Sequence, residues 1–204
     1  RCLQAVEQWV DEIVVVDGSS EDRTREIAKE HGAEVIKTTN KPIFHKNKQM
    51  AIDKCKGDWI LQLDADEVVS ENLAQEILSI AEKEPQEIEF DAFYIPRKNF
   101  FLGQWMRKTA QYPDPVIRFF KNGKAHLPCK SVHEQMQVDG RVGHLTTHLL
   151  HYPYPSFSEY LKKSNRYTTL DAQEMRNKEM TPSFWNFLKY YFKGEKTFWS
   201  LYLR

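Results

Sequence analysis

Two acidic clusters fall where strands are expected to end. Asp17 follows the apolar run Ile13-Val14-Val15-Val16 and opens the turn Asp17-Gly18-Ser19-Ser20, and Asp64 and Asp66 stand in Asp64-Ala65-Asp66-Glu67 after the run at residues 59–63. Two aspartates at i and i+2 on a turn can share one divalent ion through hard oxygen ligands. Mg²⁺ or Mn²⁺ held this way against a substrate diphosphate is the chemistry such a pair offers. Crowded carboxylates are costly unless a cation or a hydrogen-bonding ligand neutralises them. Structural alternatives stay open: Asp-Gly favours turns in which the Asp bonds its own backbone, and Asp66 and Glu67 can be solvated carboxylates ahead of a helix.

The elements that must position these residues alternate in type. Residues 13–16 are all β-branched and predict a strand buried on both faces. Asp22 is placed to cap the next helix, and Gly32 to end it. Residues 34–37 predict a second strand, residues 47–55 a helix stopped by Gly57, and residues 59–63 a third strand. Ser70 caps a helix with Leu73, Ile77 and Ile80 on its inner face. Strands and helices alternating over short loops imply parallel βαβ units, in which ligands bind beyond the carboxyl ends of the strands. From Phe90 the pattern changes to strands at 92–95, 116–120 and 146–152, with a hairpin turn at Lys121-Asn122-Gly123-Lys124. After Pro153 and Pro155 the chain is helical, over 158–174 and 183–192. The expected division is an α/β catalytic domain at 1–152 and a helical, aromatic-rich extension at 153–204.

The 204 residues carry 29 Lys+Arg against 29 Asp+Glu, a formal net charge of zero. That balance argues against a nucleic-acid partner, which would demand a basic surplus. Cys2, Cys55 and Cys129 form no CxxC pair, and an odd number of cysteines fits buried thiols in a reducing, cytoplasmic compartment. No apolar run is long enough to span a bilayer.

The segment Asp11-Glu12-Ile13-Val14-Val15-Val16-Asp17-Gly18-Ser19-Ser20-Glu21-Asp22-Arg23-Thr24 resembles the second strand and loop of family 2 glycosyltransferases. Gly57-Asp58-Trp59-Ile60-Leu61-Gln62-Leu63-Asp64-Ala65-Asp66-Glu67 is similar to that family's metal-binding strand end. Tyr112-Pro113-Asp114, Arg118-Phe119-Phe120 and Val132-His133-Glu134 match in order. The branch they resemble contains bacterial lipopolysaccharide-core glucosyltransferases. The resemblance implies a GT-A fold, a Rossmann-like mixed sheet flanked by helices. The family's first strand and its Pro-x-x-Asn-Glu loop are expected before Arg1, and a chain lacking that central strand is expected to be poorly stable alone.

The resemblance also implies roles. Asp17 would accept hydrogen bonds from the base or ribose of a nucleotide, with Lys46 and Asn47 nearby. Asp64 would touch the ribose or the metal, Asp66 would be the main metal ligand, and His151 would complete the metal shell. Arg118 would help hold the diphosphate or the acceptor, and Glu134 would be the catalytic carboxylate. The implied reaction moves a hexose from a nucleotide sugar, UDP-linked by resemblance, to a cell-envelope glycan or lipid-linked acceptor. A carboxylate taking the proton of the acceptor hydroxyl, with direct displacement, inverts the anomeric centre. In the structural alternatives Glu134 forms an ion pair and His151 packs in an aromatic strand.

Rival functions have discriminating features. A haloacid-dehalogenase-like phosphatase would share Asp64-Ala65-Asp66-Glu67-Val68 but needs a later Lys and acidic pair. A nucleotidylyltransferase would release pyrophosphate from a nucleoside triphosphate. An inactive nucleotide-binding fragment would show no turnover.

Toward the end, Phe184, Phe187, Leu188, Tyr191 and Phe192 recur at helical spacing, joined by Trp185, Phe198, Trp199 and Tyr202, with Lys189, Lys193, Lys196 and Arg204 among them. Aromatic residues beside basic ones suit an interfacial helix on the inner face of an anionic membrane. Packing against protein is the alternative.

Overall fold

The structure is a computed structural model and describes residues 1–41, 43–108, 111–130, 134–177 and 183–202. It divides into two compact units, Arg1–Arg97 with Pro115–His151, and Lys98–Asp114 with Tyr152–Arg204.

The first unit opens on a short 3₁₀ turn, Leu3–Ala5, whose following residue Val6 is buried in the core. Strand β1 (Val14–Asp17) and strand β2 (Glu34–Lys37) pair in parallel around helix α1 (Thr24–Glu30). Asp22 accepts from the Thr24 backbone N–H at 3.0 Å, but Arg23, not Asp22, occupies the cap position of α1 and makes no side-chain cap hydrogen bond, one residue away from the expected cap. Gly32 follows the helix at φ +75°, which costs glycine no steric penalty. Helix α2 (His45–Ile52) precedes strand β3 (Trp59–Leu61). A two-residue strand β4 (Glu67–Val68) then leads into helix α3 (Glu71–Ala81). Ser70 Oγ caps α3 by accepting from Leu73 N at 3.3 Å.

Strand β5 (Ala92–Phe101) is followed by β6 (Gln104–Trp105), β7 (Pro115–Lys121), β8 (Ala125–His126), β9 (Gln137–Val138), β10 (Val142–His144) and β11 (Leu149–Tyr154). The larger sheet runs β3-β7-β5-β11-β4, with β10 and β6 also paired to β5. It is mixed: β3 and β5 each run antiparallel to β7, and β10 runs parallel to β5. Two sequence expectations need correction here. The third strand takes β7 as an antiparallel neighbour instead of extending the parallel β1–β2 pair, which forms a two-stranded sheet by itself. Residues Val14–Val16 are half-buried, not buried on both faces, because β1 has only β2 beside it.

Side-chain alternation along the strands builds two cores. Phe119 and Phe93 pack with Leu73, Ile77, Ile95 and Leu149. Their neighbours Phe120 and Ala92 point the other way, toward Ile52, Ile60, Leu127 and Met136. The sheet around β7 is therefore fixed from both faces, α3 contributing to one core and α2 to the other. Cys2, Cys55 and Cys129 are free and half-buried, less enclosed than expected, with burial pushing the Cys2 thiol up to about 11.

In the second unit the β5–β6 hairpin turns through Leu102 and Gly103, both at positive φ. Phe100 stacks on Tyr152 at 4.7 Å between ring centroids, and Phe101, Tyr154 and Tyr160 meet edge to face. Helices α4 (Phe157–Asn177) and α5 (Phe184–Tyr202) complete it; α5 runs ten residues beyond its expected end at 192.

Candidate active site

Just beyond β3, Gln62 and Asp64 stand two residues apart, and both bond the Arg118 side chain. Gln62 N donates to Arg118 O at 2.8 Å, extending the pairing with β7 and setting the Arg118 side chain beside both residues. Arg118 is buried. Its Nη1 donates to Gln62 Oε1, and its Nη2 donates to Asp64 Oδ2 at 2.7 Å and Glu67 Oε1 at 2.9 Å. Lys48 Nζ meets Asp64 Oδ1 at 2.5 Å, and Arg97 Nη1 meets Glu67 Oε1 at 3.2 Å. Three side-chain cations thus face the carboxylates after β3.

That arrangement sets the charge states. Burial would raise the Asp64 carboxyl, but the charges of Arg118 and Lys48 overcome it and hold Asp64 well below the usual carboxylate range. Burial would likewise lower Arg118, yet Glu67 and Asp64 raise it. The crowding that called for a cation is largely met by protein. Glu67 is not a solvated carboxylate: it has no exposed surface.

Asp66 lies at the tip of the turn, and His151 Nε2 is 3.7 Å from its Oδ1. Register accounts for this, since His151 on β11 pairs with Glu67 on β4. Burial pushes the His151 imidazole down despite neighbouring Asp66. Among the described residues there is no group of three metal-ligating side chains. Of the expected metal ligands, Asp66 and His151 lie together, and Asp64 is engaged by Arg118 and Lys48.

Glu134 follows Val132 and His133, which lie outside the described residues. Both its carboxylate oxygens accept from the Lys130 backbone N–H, at 2.8 and 2.9 Å, and His45 Nδ1 stands 3.9 Å away. His45, Lys48, Gln62, Arg118, Glu134 and Met136 line one cleft that is partly open to solvent. The expected base and the Arg118 cluster therefore share one cavity. His45 and Lys48, three apart on α2, present to it together.

Asp17, the last residue of β1, is 3% exposed. Its carboxylate accepts from Ser20 N at 3.1 Å and from Arg25 Nη1 at 2.7 Å. Burial favours its neutral form, but the Ser20 and Arg25 hydrogen bonds prevail and hold its pKa below the usual value. A side chain at Gly18 would place its Cβ 3.0 Å from Asn47 Nδ2 and 3.3 Å from Asn40 Cα, so the chain after Asp17 is pressed close to α2. Asn47 Nδ2 donates to Thr39 O at 3.4 Å. Its Oδ1 is buried and has no hydrogen-bond partner among the described residues. Lys46 is exposed, and the contact with Asp64 belongs to Lys48.

Sequence reasoning overlooked Lys48, Gln62, Arg97 and His45. Strand alternation from Asp64 pointed to Gln62, and helical spacing from His45 pointed to Lys48. Nothing local marks Arg97, which reaches Glu67 across 30 residues of chain.

The profile of glycosyl transferase family 2 matches residues 1–141. The chain is 25% identical over 211 residues to the lipopolysaccharide core biosynthesis glycosyltransferase LpsC of Rhizobium meliloti, covering 95% of this chain and 76% of that protein. It is 29% identical to an uncharacterised glycosyltransferase of Rickettsia prowazekii, covering 94% of this chain and 71% of the relative. The crystal structure of S. aureus TarS residues 1–349 shares the fold at a TM-score of 0.52 and 15% identity, spanning 74% of this chain and 56% of that one. The mixed sheet with its flanking helices is a GT-A fold, and the chain belongs to glycosyl transferase family 2.

Proposed function

We propose that the chain transfers a hexose from a nucleotide sugar, UDP-linked, to a cell-envelope glycan or lipid-linked acceptor, with inversion at the anomeric carbon. The observation that carries this reading is the shared cleft, lined by Glu134 together with Lys48 and Arg118. A sugar diphosphate brings negative charge that Lys48 and Arg118 complement, and displacement needs a base near the acceptor hydroxyl. Glu134 is that base. Asp17 and Asn47 hold the base or ribose.

Mg²⁺ or Mn²⁺, held by Asp66 and His151 with Asp64 beside them, supplies Lewis-acid stabilisation of the leaving diphosphate when bound. LpsC is described as a lipopolysaccharide core enzyme, which supports an envelope acceptor. Release of UDP from a panel of UDP-hexoses tests the reading. Pyrophosphate release from a nucleoside triphosphate would instead reveal a nucleotidylyltransferase.

The aromatic helix supports a peripheral membrane position. Phe184, Phe187, Tyr191 and Phe198 share one face of α5 by their spacing, and all are more than half exposed. Lys189, Lys193 and Lys196 are exposed on the same helix. Among the described residues no helix is long and apolar enough to cross a membrane. An exposed aromatic face beside lysines suits the interface of an anionic bilayer.

A further inference from the structure

We propose that Glu67 is a positioning residue that sets the acidic turn and Arg118 for catalysis; this rests on the transferase reading of the same site. Glu67 is fully buried, and each of its polar groups is used on that turn or its neighbours. Its backbone N–H donates to Asp64 O at 2.9 Å, while its Oε2 accepts from Asp64 N at 2.9 Å. The two bonds close the Asp64–Glu67 turn from both ends and leave Asp66 at the tip. Oε1 accepts from Arg118 Nη2 at 2.9 Å and Arg97 Nη1 at 3.2 Å. The same Nη2 holds Asp64 Oδ2 at 2.7 Å, so Arg118 is clamped between two carboxylates three residues apart. The backbone of Glu67 pairs with His151, which sets the imidazole against Asp66. One side chain therefore fixes the direction of Asp64, Asp66 and Arg118, and its strand register fixes His151.

An amide cannot replace this carboxylate. Gln has one acceptor and one donor end, so its NH₂ must confront either the Asp64 N–H or the guanidinium groups. Loss of a group that orients metal or substrate ligands typically lowers activity or metal affinity about 10–100-fold.

The test compares Glu67→Gln with Asp91→Asn in the full chain. Asp91 is also bonded, to Lys121 Nζ at 3.0 Å and Arg141 N at 3.1 Å, but takes no part in the cleft. UDP release from the preferred donor and amide exchange over residues 62–67 are measured at a temperature where both variants are folded. Glu67→Gln is expected to lower kcat about 10–100-fold and to speed exchange over 62–67, while Asp91→Asn keeps kcat within about twofold. Wild-type exchange over 62–67 in Glu67→Gln overturns the proposal, as does equal loss of kcat in both variants. If wild-type protein releases UDP from no donor, the transferase reading fails separately, and exchange alone decides whether Glu67 sets the turn.

Discussion

Lys48 on α2 meets Asp64 beyond β3 at 2.5 Å, and the residue before it, Asn47, lies against Gly18 next to Asp17. Two consecutive positions at the start of one helix therefore touch both acidic strand ends. Side chains on adjacent helical residues diverge by about 100°, which suits α2 to reach toward both. A nucleotide diphosphate bound along this helix would find Asn47 toward its base and Lys48 toward its phosphates.

Glu134→Gln should lower the transfer rate by about 10²–10⁴-fold, the usual contribution of a positioned base, while UDP affinity changes little. Rate assays and calorimetric titration separate the two effects. A product retaining the donor's anomeric configuration would remove Glu134 from the role of simple base.

Asp17 titrates below its ordinary value in the folded chain. Its stabilisation is thus fully present above the unfolded carboxyl pKa and disappears as pH falls through the lower folded one. Asp17→Asn should cost about 1–3 kcal/mol at neutral pH, and the gap should close in acid below the ordinary aspartate value of 3.8. Urea unfolding across a pH series measures this; a gap that persists undiminished in strong acid contradicts the role.

Replacing both Phe187 and Tyr191 with Glu should abolish sedimentation with phosphatidylglycerol vesicles while leaving UDP binding intact. Lysine attraction to an anionic surface should also weaken with added salt. Equal partitioning of wild type and double variant would end the membrane reading and favour a protein partner for α5.

Local chemistry was legible in the sequence wherever a neighbour within a few residues does the work. Ser70 caps a helix, Gly123 sits in a turn at φ +77° although β8 then pairs with β9 and not back onto β7, and Leu73 and Ile77 face the core as their spacing requires. What escaped is long-range. The choice of β7 as the neighbour of β3 is made by packing on both sheet faces, through Phe119 and Phe120, which no local pattern reveals. A solvated Glu67 stayed open as an alternative in the sequence because its partners Arg97 and Arg118 lie 30 and 51 residues away. For the same reason, the protein cations Lys48 and Arg118 that meet Asp64 stayed hidden in the sequence.

The most direct test is UDP release from a panel of UDP-hexoses, with and without Mn²⁺, by wild-type protein and Asp66→Ala. The expected result is metal-dependent release from one donor, lowered about 1,000-fold in Asp66→Ala by loss of several kcal/mol of charge stabilisation. The melting temperature of the variant should stay within about 2 °C of wild type or rise, because the half-exposed Asp66 is not part of the core. Release by Asp66→Ala at the wild-type rate, or no UDP bound by wild type at millimolar ligand with Mn²⁺ present, would contradict a metal-assisted glycosyl transfer at this cleft.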